Sequence, residues 1–210
     1  QAIGSDSRIG PKFLKASLGF GGSCFQKDIL NLVYICKSLG LNQAADYWEQ
    51  VVIMNNHQRN RFAHQIVKSL HGTVAAKKIG FLGWAFKKDT NDTRESAAIY
   101  IADILIEERA YVQVFDPKVT LLQIRSDLNG LNTRSETEND KFLVNHSDPY
   151  EALNGTHAIA VITEWDEFKS YDWQKIYERM QKPAFVFDGR NILDQKKLES
   201  IGFIYQSIGR

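Results

Sequence analysis

Lys78-Ile79-Gly80-Phe81-Leu82-Gly83 and, beyond a helical pattern, Tyr111-Val112-Gln113-Val114-Phe115-Asp116-Pro117 decide the fold. Each is a short run of β-branched and aromatic residues closed by a turn former, the form of a buried strand. Between them, the segment from Thr93 to Arg109 reads as a helix, with Asp92 and Glu95 spaced as a capping box at its start. Strand, helix and strand in so short a span make a βαβ unit, and its strands must be parallel because the crossover returns to the same end of the sheet. The expected class is α/β.

Working outward toward the C-terminus, residues 118–145 form a looser connection with a helical piece and a short strand at Phe142-Leu143-Val144. Ala158 to Ile162 and Ala184 to Phe187 are further buried-strand runs, with a helix from Trp173 to Met180 between them and a last strand around Phe203-Ile204-Tyr205. Residues 77–210 are thus expected to form a Rossmann-like domain on a parallel sheet. A dinucleotide loop would read G-x-G-x-x-G, yet the first strand offers only Gly80 and Gly83. Asp116, at the position of a ribose-reading acid, is therefore expected to be either a relic of that role or a capping residue.

Toward the N-terminus, residues 1–76 read as helical. A pattern from about Ala44 to Leu70 carries Trp48, Val51, Val52, Phe62, Ile66 and Leu70, with a strongly polar middle from Asn55 to Arg61. Ahead of it stands Gly19-Phe20-Gly21-Gly22-Ser23-Cys24-Phe25-Gln26-Lys27-Asp28. Ser23 and Gln26 have capping-box spacing, which would make Ser23 the N-cap and Cys24 the first helical residue. Phe25, Ile29, Leu32, Cys36 and Leu39 recur at three and four, an apolar stripe, while Cys24, Lys27, Asp28 and Asn31 share another face. A thiol at the positive end of a helix, one turn from a Lys, is placed to react as thiolate. The alternative is an inert buried Cys whose glycines only permit a tight turn.

The chain has 210 residues, with 26 Lys plus Arg against 25 Asp plus Glu. So balanced a charge offers no basic field for nucleic acid or an anionic membrane. No apolar run approaches a membrane span of about 20 residues, and the start lacks signal-peptide form. Two cysteines support neither a disulfide framework nor a Cys-based zinc site, and point to the cytoplasm. His57, His64 and His71 fall seven apart, whereas helical metal ligands need three or four, so no metal is expected. A chain opening on Gln1 reads as part of a longer one.

Three loops at strand ends carry distinctive residues: Phe86, Lys87 and Arg94 after the first strand, Thr163-Glu164-Trp165 after the fourth and Arg190 after the fifth. Ligands of doubly wound sheets sit beyond the carboxyl ends of the strands, and converging Lys87, Arg94 and Arg190 suit a diphosphate. A solvated face is the alternative for each cation alone.

The decapeptide ending at Asp28, together with these downstream loops, resembles the UDP-glucose/GDP-mannose dehydrogenase family. The resemblance runs over nearly the whole chain and matches the second half of such enzymes, without the half that holds most of the NAD site. It implies a central helical, dimer-forming region (1–76) followed by a UDP-sugar-binding domain (77–210). It further implies Cys24 as nucleophile with Lys27 and Asp28 as catalytic partners. The substrate contacts it implies are Arg8, Phe13, Leu14, Lys15, Ala16, Ser17, Phe20, Gly21, Phe86, Lys87 and Arg190, with Arg8 reaching a neighbouring subunit's site. Cys24, Lys27 and Arg94 would contact NAD.

On the same grounds the expected partners are UDP-glucose and UDP-glucuronate, and the assembly a dimer through the central helices, with a hexamer left open. The reaction expected is two hydride transfers through a Cys24 thioester, with binding but no turnover by this half alone. Three alternatives stay open: a non-catalytic nucleotide-sugar-binding and dimerisation module, a dehydrogenase of a related nucleotide sugar, or a thiol acyltransferase or hydrolase, which would need a His paired with Cys24.

Overall fold

Six strands, β1 (Lys78–Leu82), β2 (Tyr111–Phe115), β3 (Leu143–Asn145), β4 (Ala158–Val161), β5 (Phe185–Asp188) and β6 (Ile204–Ser207), form one parallel sheet ordered β3-β2-β1-β4-β5-β6. The computed structural model describes residues 2–11 and 14–209. β4 and β5 are buried along their whole length and β1 at all but its first residue, as parallel strands between covering layers must be. Ile79 lies opposite Val112 on one side and Ala158 on the other. The chain therefore builds outward from β1 through β3 and then reverses to β4, which leaves a crevice at the carboxyl ends of β1 and β4. Gly83 stands at that crevice with φ +99°, and a Cβ there would fall on Thr163.

Among the described residues, eight α-helices accompany the sheet: α1 (Phe25–Ser38), α2 (Asn42–Ser69), α3 (Ala97–Glu107), α4 (Leu121–Asn129), α5 (Glu136–Phe142), α6 (Pro149–Ala152), α7 (Trp173–Arg179) and α8 (Gln195–Ile201). From α3 onward each opens on a side chain that accepts a first-turn N–H: Ser96, Thr120, Ser135, Asp148, Asp172 and Asp194. These caps satisfy donors that the helix itself leaves free.

Both expected capping boxes are replaced. At α1 the N-cap is Cys24 rather than Ser23, and no side chain caps it. The cause lies outside the helix: Gly22, at φ +88°, gives its N–H to the carbonyl of Arg94 at 2.8 Å, which turns the chain one residue later than local spacing implies. At α3, Asp92 accepts from the backbone and guanidinium of its neighbour Arg94, Glu95 adopts φ +54°, and Ser96 becomes the cap.

The apolar stripe of α1 is narrower than its spacing suggests. Ile29, Val33 and Cys36 are buried with Ala45 in a small cluster, whereas Phe25 and Leu39 are exposed. α1 packs mainly along α2, and one helix covers only one strip of another. Phe25 instead meets Phe20 edge to face, with centroids 4.6 Å apart. The main cluster joins the sheet and α3 to Phe62, Ala63 and Ile66 of α2, to Leu70 just past its end and to Leu18. α2 thus serves both clusters. Among the described residues, no helix is long and apolar enough to cross a membrane.

Candidate active site

Residues 16–22 lie across the carboxyl ends of the strands. Leu18 is fully buried, and a Cβ on Gly189, just after β5, would come within 2.6 Å of its side chain. Gln58 donates to the Ser17 carbonyl at 3.1 Å. The chain then passes through Gly19, Gly21 and Gly22, each for a steric reason. Gly19 has φ +109° and faces Asn55. At Gly21 a Cβ would sit 2.6 Å from the Glu95 carbonyl and 2.9 Å from Cβ of Phe86. At Gly22 it would sit 3.0 Å from the Phe86 ring. Glycine is the residue that permits such approach and such φ values.

The loop that delivers Cys24 is therefore pressed directly against the loop after β1. Cys24 is exposed and free at the start of α1, with its Sγ 3.5 Å from Ser23 Oγ; Cys36 is buried and free. Lys27 and Asp28 are exposed on the first turn, and the Asp28 N–H closes that turn on the Cys24 carbonyl at 2.8 Å. Arg94 is held above the ordinary arginine range mainly by its bidentate pair with Asp92.

On the opposite lip, Phe86 is half-buried, and the Lys87 ammonium lies 5.3 Å from its ring centroid. Lys87 and Arg94 both help hold the Asp92 carboxyl below its usual range, Arg94 more strongly. Arg190 takes a different part from the free cation expected. Its Nε donates to the Ile162 carbonyl at 2.6 Å and its Nη2 to the Phe86 carbonyl at 2.8 Å, with Glu164 at 3.2 Å. Burial pushes its pKa down against the pull of Glu164 and Asp188. Arg190 thus lashes the Phe86 loop to the ends of β4 and β5, and two of its donors are committed to the protein itself.

Of the remaining expected residues, Phe13 lies outside those described. Leu14, Lys15 and Ala16 are exposed, and Ser17 and Phe20 are half-buried. Arg8, 87% exposed at its side chain, pairs with Asp6 at 2.7 Å. A groove of about 830 Å³ lies between α2 and the residues after β6, lined among others by His57, Arg61, His64 and Lys68. His71 stands apart at φ +66° past the end of α2, and no group of three or more metal-ligating side chains forms among the described residues.

Sequence reasoning missed the polar middle of α2. Asn55 and Arg59 are buried there, and their side chains reach the Phe20 backbone. A polar run on a long helix carries no sign of burial; the one available hint was that Asn55 and Arg59 lie one turn apart on the face that continues to Phe62 and Ile66. The part of Asp116 was anticipated. It caps the backbone N–H groups of Trp84, Ala85, Lys118 and Val119 and accepts from the Trp165 indole.

Two family models match this chain: the central domain of the UDP-glucose/GDP-mannose dehydrogenase family over residues 1–57, and its UDP binding domain over residues 80–195. A UDP-glucose 6-dehydrogenase of Drosophila melanogaster is 54% identical over 211 residues, covering all of this chain and 44% of the fly protein. UDP-glucose 6-dehydrogenase 4 of Arabidopsis thaliana is 53% identical over 219 residues, covering all of this chain and 45% of the plant protein. The crystal structure of a UDP-glucose dehydrogenase from Pyrobaculum islandicum superposes with a TM-score of 0.74 at 31% identity, covering 98% of this chain and 41% of the archaeal one. This chain therefore spans less than half the length of these relatives, and across both matched regions it belongs to the UDP-glucose/GDP-mannose dehydrogenase family.

Proposed function

We propose that this chain is the nucleotide-sugar-binding and nucleophile-bearing part of a UDP-glucose 6-dehydrogenase, an NAD-dependent oxidoreductase that takes UDP-glucose to UDP-glucuronate. The observation that carries the reading is the seating of Gly21 and Gly22 on Phe86 and on the Arg94–Glu95 backbone, which puts an exposed thiol on the rim of the switch-point crevice. Residues 1–76 act as the central region and residues 77–210 as the UDP-sugar domain. Phe20, Gly21, Phe86 and Lys87 line the nucleotide-sugar path together with segment 13–17. Arg190 fixes the Phe86 lip from beneath, and Arg8 serves a neighbouring subunit.

Oxidation of a primary alcohol to a carboxylate removes two hydrides. NAD⁺, when bound, supplies the acceptor for each. After the first transfer the carbon is an aldehyde and has no hydride to give while it stays trigonal with a poor donor oxygen. Addition of the Cys24 thiolate to that carbon forms a C–S bond and a thiohemiacetal, which can lose the second hydride and become a thioester. Water then displaces Cys24, breaking the C–S bond and leaving carboxylate, thiolate and protons. Lys27, one turn from Cys24, stabilises the anionic oxygen and sulfur. Asp28 orients and deprotonates the water.

The sheet of this chain does not fit the dinucleotide. It lacks the glycine loop, and the amides after β1 are occupied by Asp116. Arg94, 67% exposed beside Cys24, is the residue that would reach NAD held by another part of the enzyme. The chain alone should therefore bind the nucleotide without turnover.

The exposed apolar side chains Tyr34, Leu41, Tyr47, Trp48, Ile53 and Met54 along α1 and α2 suit a helix-to-helix dimer. Calorimetric titration tests the core of the reading: UDP and UDP-glucose should bind this chain and GDP-mannose should not. Equal or absent binding of all three, or NADH formation from UDP-glucose by this chain alone, would overturn it.

A further inference from the structure

Both lips of the crevice hang from one buried guanidinium. Arg59, 1% exposed at its side chain in the middle of α2, aims Nη2 at the carbonyl of Phe20, on the loop leading to Cys24, and at the carbonyl of Glu95, on the facing loop. Each bond is 2.8 Å long, so a single nitrogen bridges the two segments. One turn earlier on the same face, Asn55 closes a two-way amide pair with Phe20, accepting its N–H at 2.8 Å and donating to its carbonyl at 3.0 Å.

We infer that Asn55 and Arg59 are the positioning residues for the Cys24 nucleophile: from α2 they hold the Phe20 carbonyl against the Glu95 carbonyl and so set the gap between Cys24 and the Phe86 lip. This rests on the reading of Cys24 as nucleophile.

Three further features converge on the same point. Buried charge requires a partner, and the guanidinium of Arg59 finds the Glu95 carboxylate at 3.6 Å and the Tyr100 ring of α3, whose centroid lies 4.3 Å away, with Nη1 also donating to Asn56 Oδ1 at 3.5 Å. The Tyr100 hydroxyl donates to the same Glu95 carboxylate at 2.7 Å, which completes a closed network. Glu95 itself has φ +54°, a conformation that a residue with a side chain keeps only when its surroundings impose it.

A planar fork can serve two carbonyls and a carboxylate together, whereas an ammonium on a shorter stem cannot hold all three. The polar middle of α2 is therefore the backboard of the site.

Amide hydrogen exchange on this chain, followed by NMR, tests the inference. The Gly22 N–H, bonded to the Arg94 carbonyl, is a partner of neither Asn55 nor Arg59 and reports the closed gap. In Arg59→Lys it should exchange at least tenfold faster, while the Ile162 N–H, bonded to Leu82 between β1 and β4, stays at its original rate. UDP should bind at least tenfold more weakly. Unchanged Gly22 exchange, or Gly22 and Ile162 accelerated together as in plain destabilisation, would overturn the inference.

Should Arg59→Lys fail to fold, Asn55→Ala is read by the same two amides with the same expected and opposing results. If the parent chain binds no UDP, the proposed function fails by itself, and the exchange comparison still decides the inference.

Discussion

Oδ2 of Asp116 accepts the backbone N–H of Trp84 at 2.7 Å. In a dinucleotide-binding sheet, the amides after the first strand face a pyrophosphate. Here a carboxylate from the end of β2 takes that place and also accepts from Ala85 and from the Trp165 indole.

Replacing Asp116 by Ala strands several buried donors at once. Each unsatisfied group costs roughly 1–3 kcal/mol, so the chain should lose on the order of 3 kcal/mol of stability or more. Urea unfolding of Asp116→Ala measures this directly, and a midpoint equal to that of the parent would refute the capping role.

Gly21→Ala places a methyl group 2.6 Å from the Glu95 carbonyl, an atom that Arg59 holds in place. The loop must shift, at a cost of about 1–3 kcal/mol, and UDP affinity should fall at least tenfold. Gly40→Ala is the control: φ is +72° there but nothing lies within 4 Å. It should cost about 1 kcal/mol through backbone conformation alone and leave UDP binding intact. Calorimetry and thermal melts of the pair separate the two effects.

Iodoacetamide should modify Cys24 and spare Cys36 in the folded chain, because one thiol is exposed and the other lies under Ile29, Val33 and Ala45. Peptide mass spectrometry reads the ratio. Bound UDP-glucose should slow the modification of Cys24 severalfold, whereas equal labelling of both thiols would contradict the described packing.

Asp166 pairs with Lys88 and Lys169 and so ties the loop after β1 to the one after β4. Lys169 and then Lys88 lower its pKa from 3.8 to about 2. A carboxyl with a depressed folded pKa contributes stability that is complete above its unfolded value and is lost as pH falls through the folded one. The difference in melting temperature between the parent and Asp166→Asn should therefore be constant above pH 5 and vanish between about pH 4 and about pH 2. Because the carboxylate is solvent-exposed, the difference should also shrink as salt is added. A difference that grows on acidification would reverse the assignment.

Charges placed on the apolar face of α1 and α2 should leave the sheet intact and abolish self-association. Tyr47 is 71% exposed and Ile53 48%, so Tyr47→Asp with Ile53→Glu removes contact area without touching either buried cluster. Light scattering after gel filtration should show dimers for the parent and monomers for the double variant.

Sequence by itself determined the parallel sheet and the Gly-rich turn that leads into Cys24. β1, β2, β4 and β5 are local runs whose residues are buried whichever neighbours they find, and the Gly-rich turn before Cys24 is a short-range feature. What only the tertiary structure decided is how the lips of the crevice are held. Ser23 yields its cap position because the Gly22 amide has a partner, Arg94, that is distant in sequence. Arg190 becomes a tether because the Ile162 and Phe86 carbonyls arrive beside it. Asn55 and Arg59 are buried because the loop through Phe20 and the loop through Glu95 meet over them. In each case a polar group chose its partner by proximity in space, and hydrogen-bond partners far apart along the chain leave no period for a sequence to display.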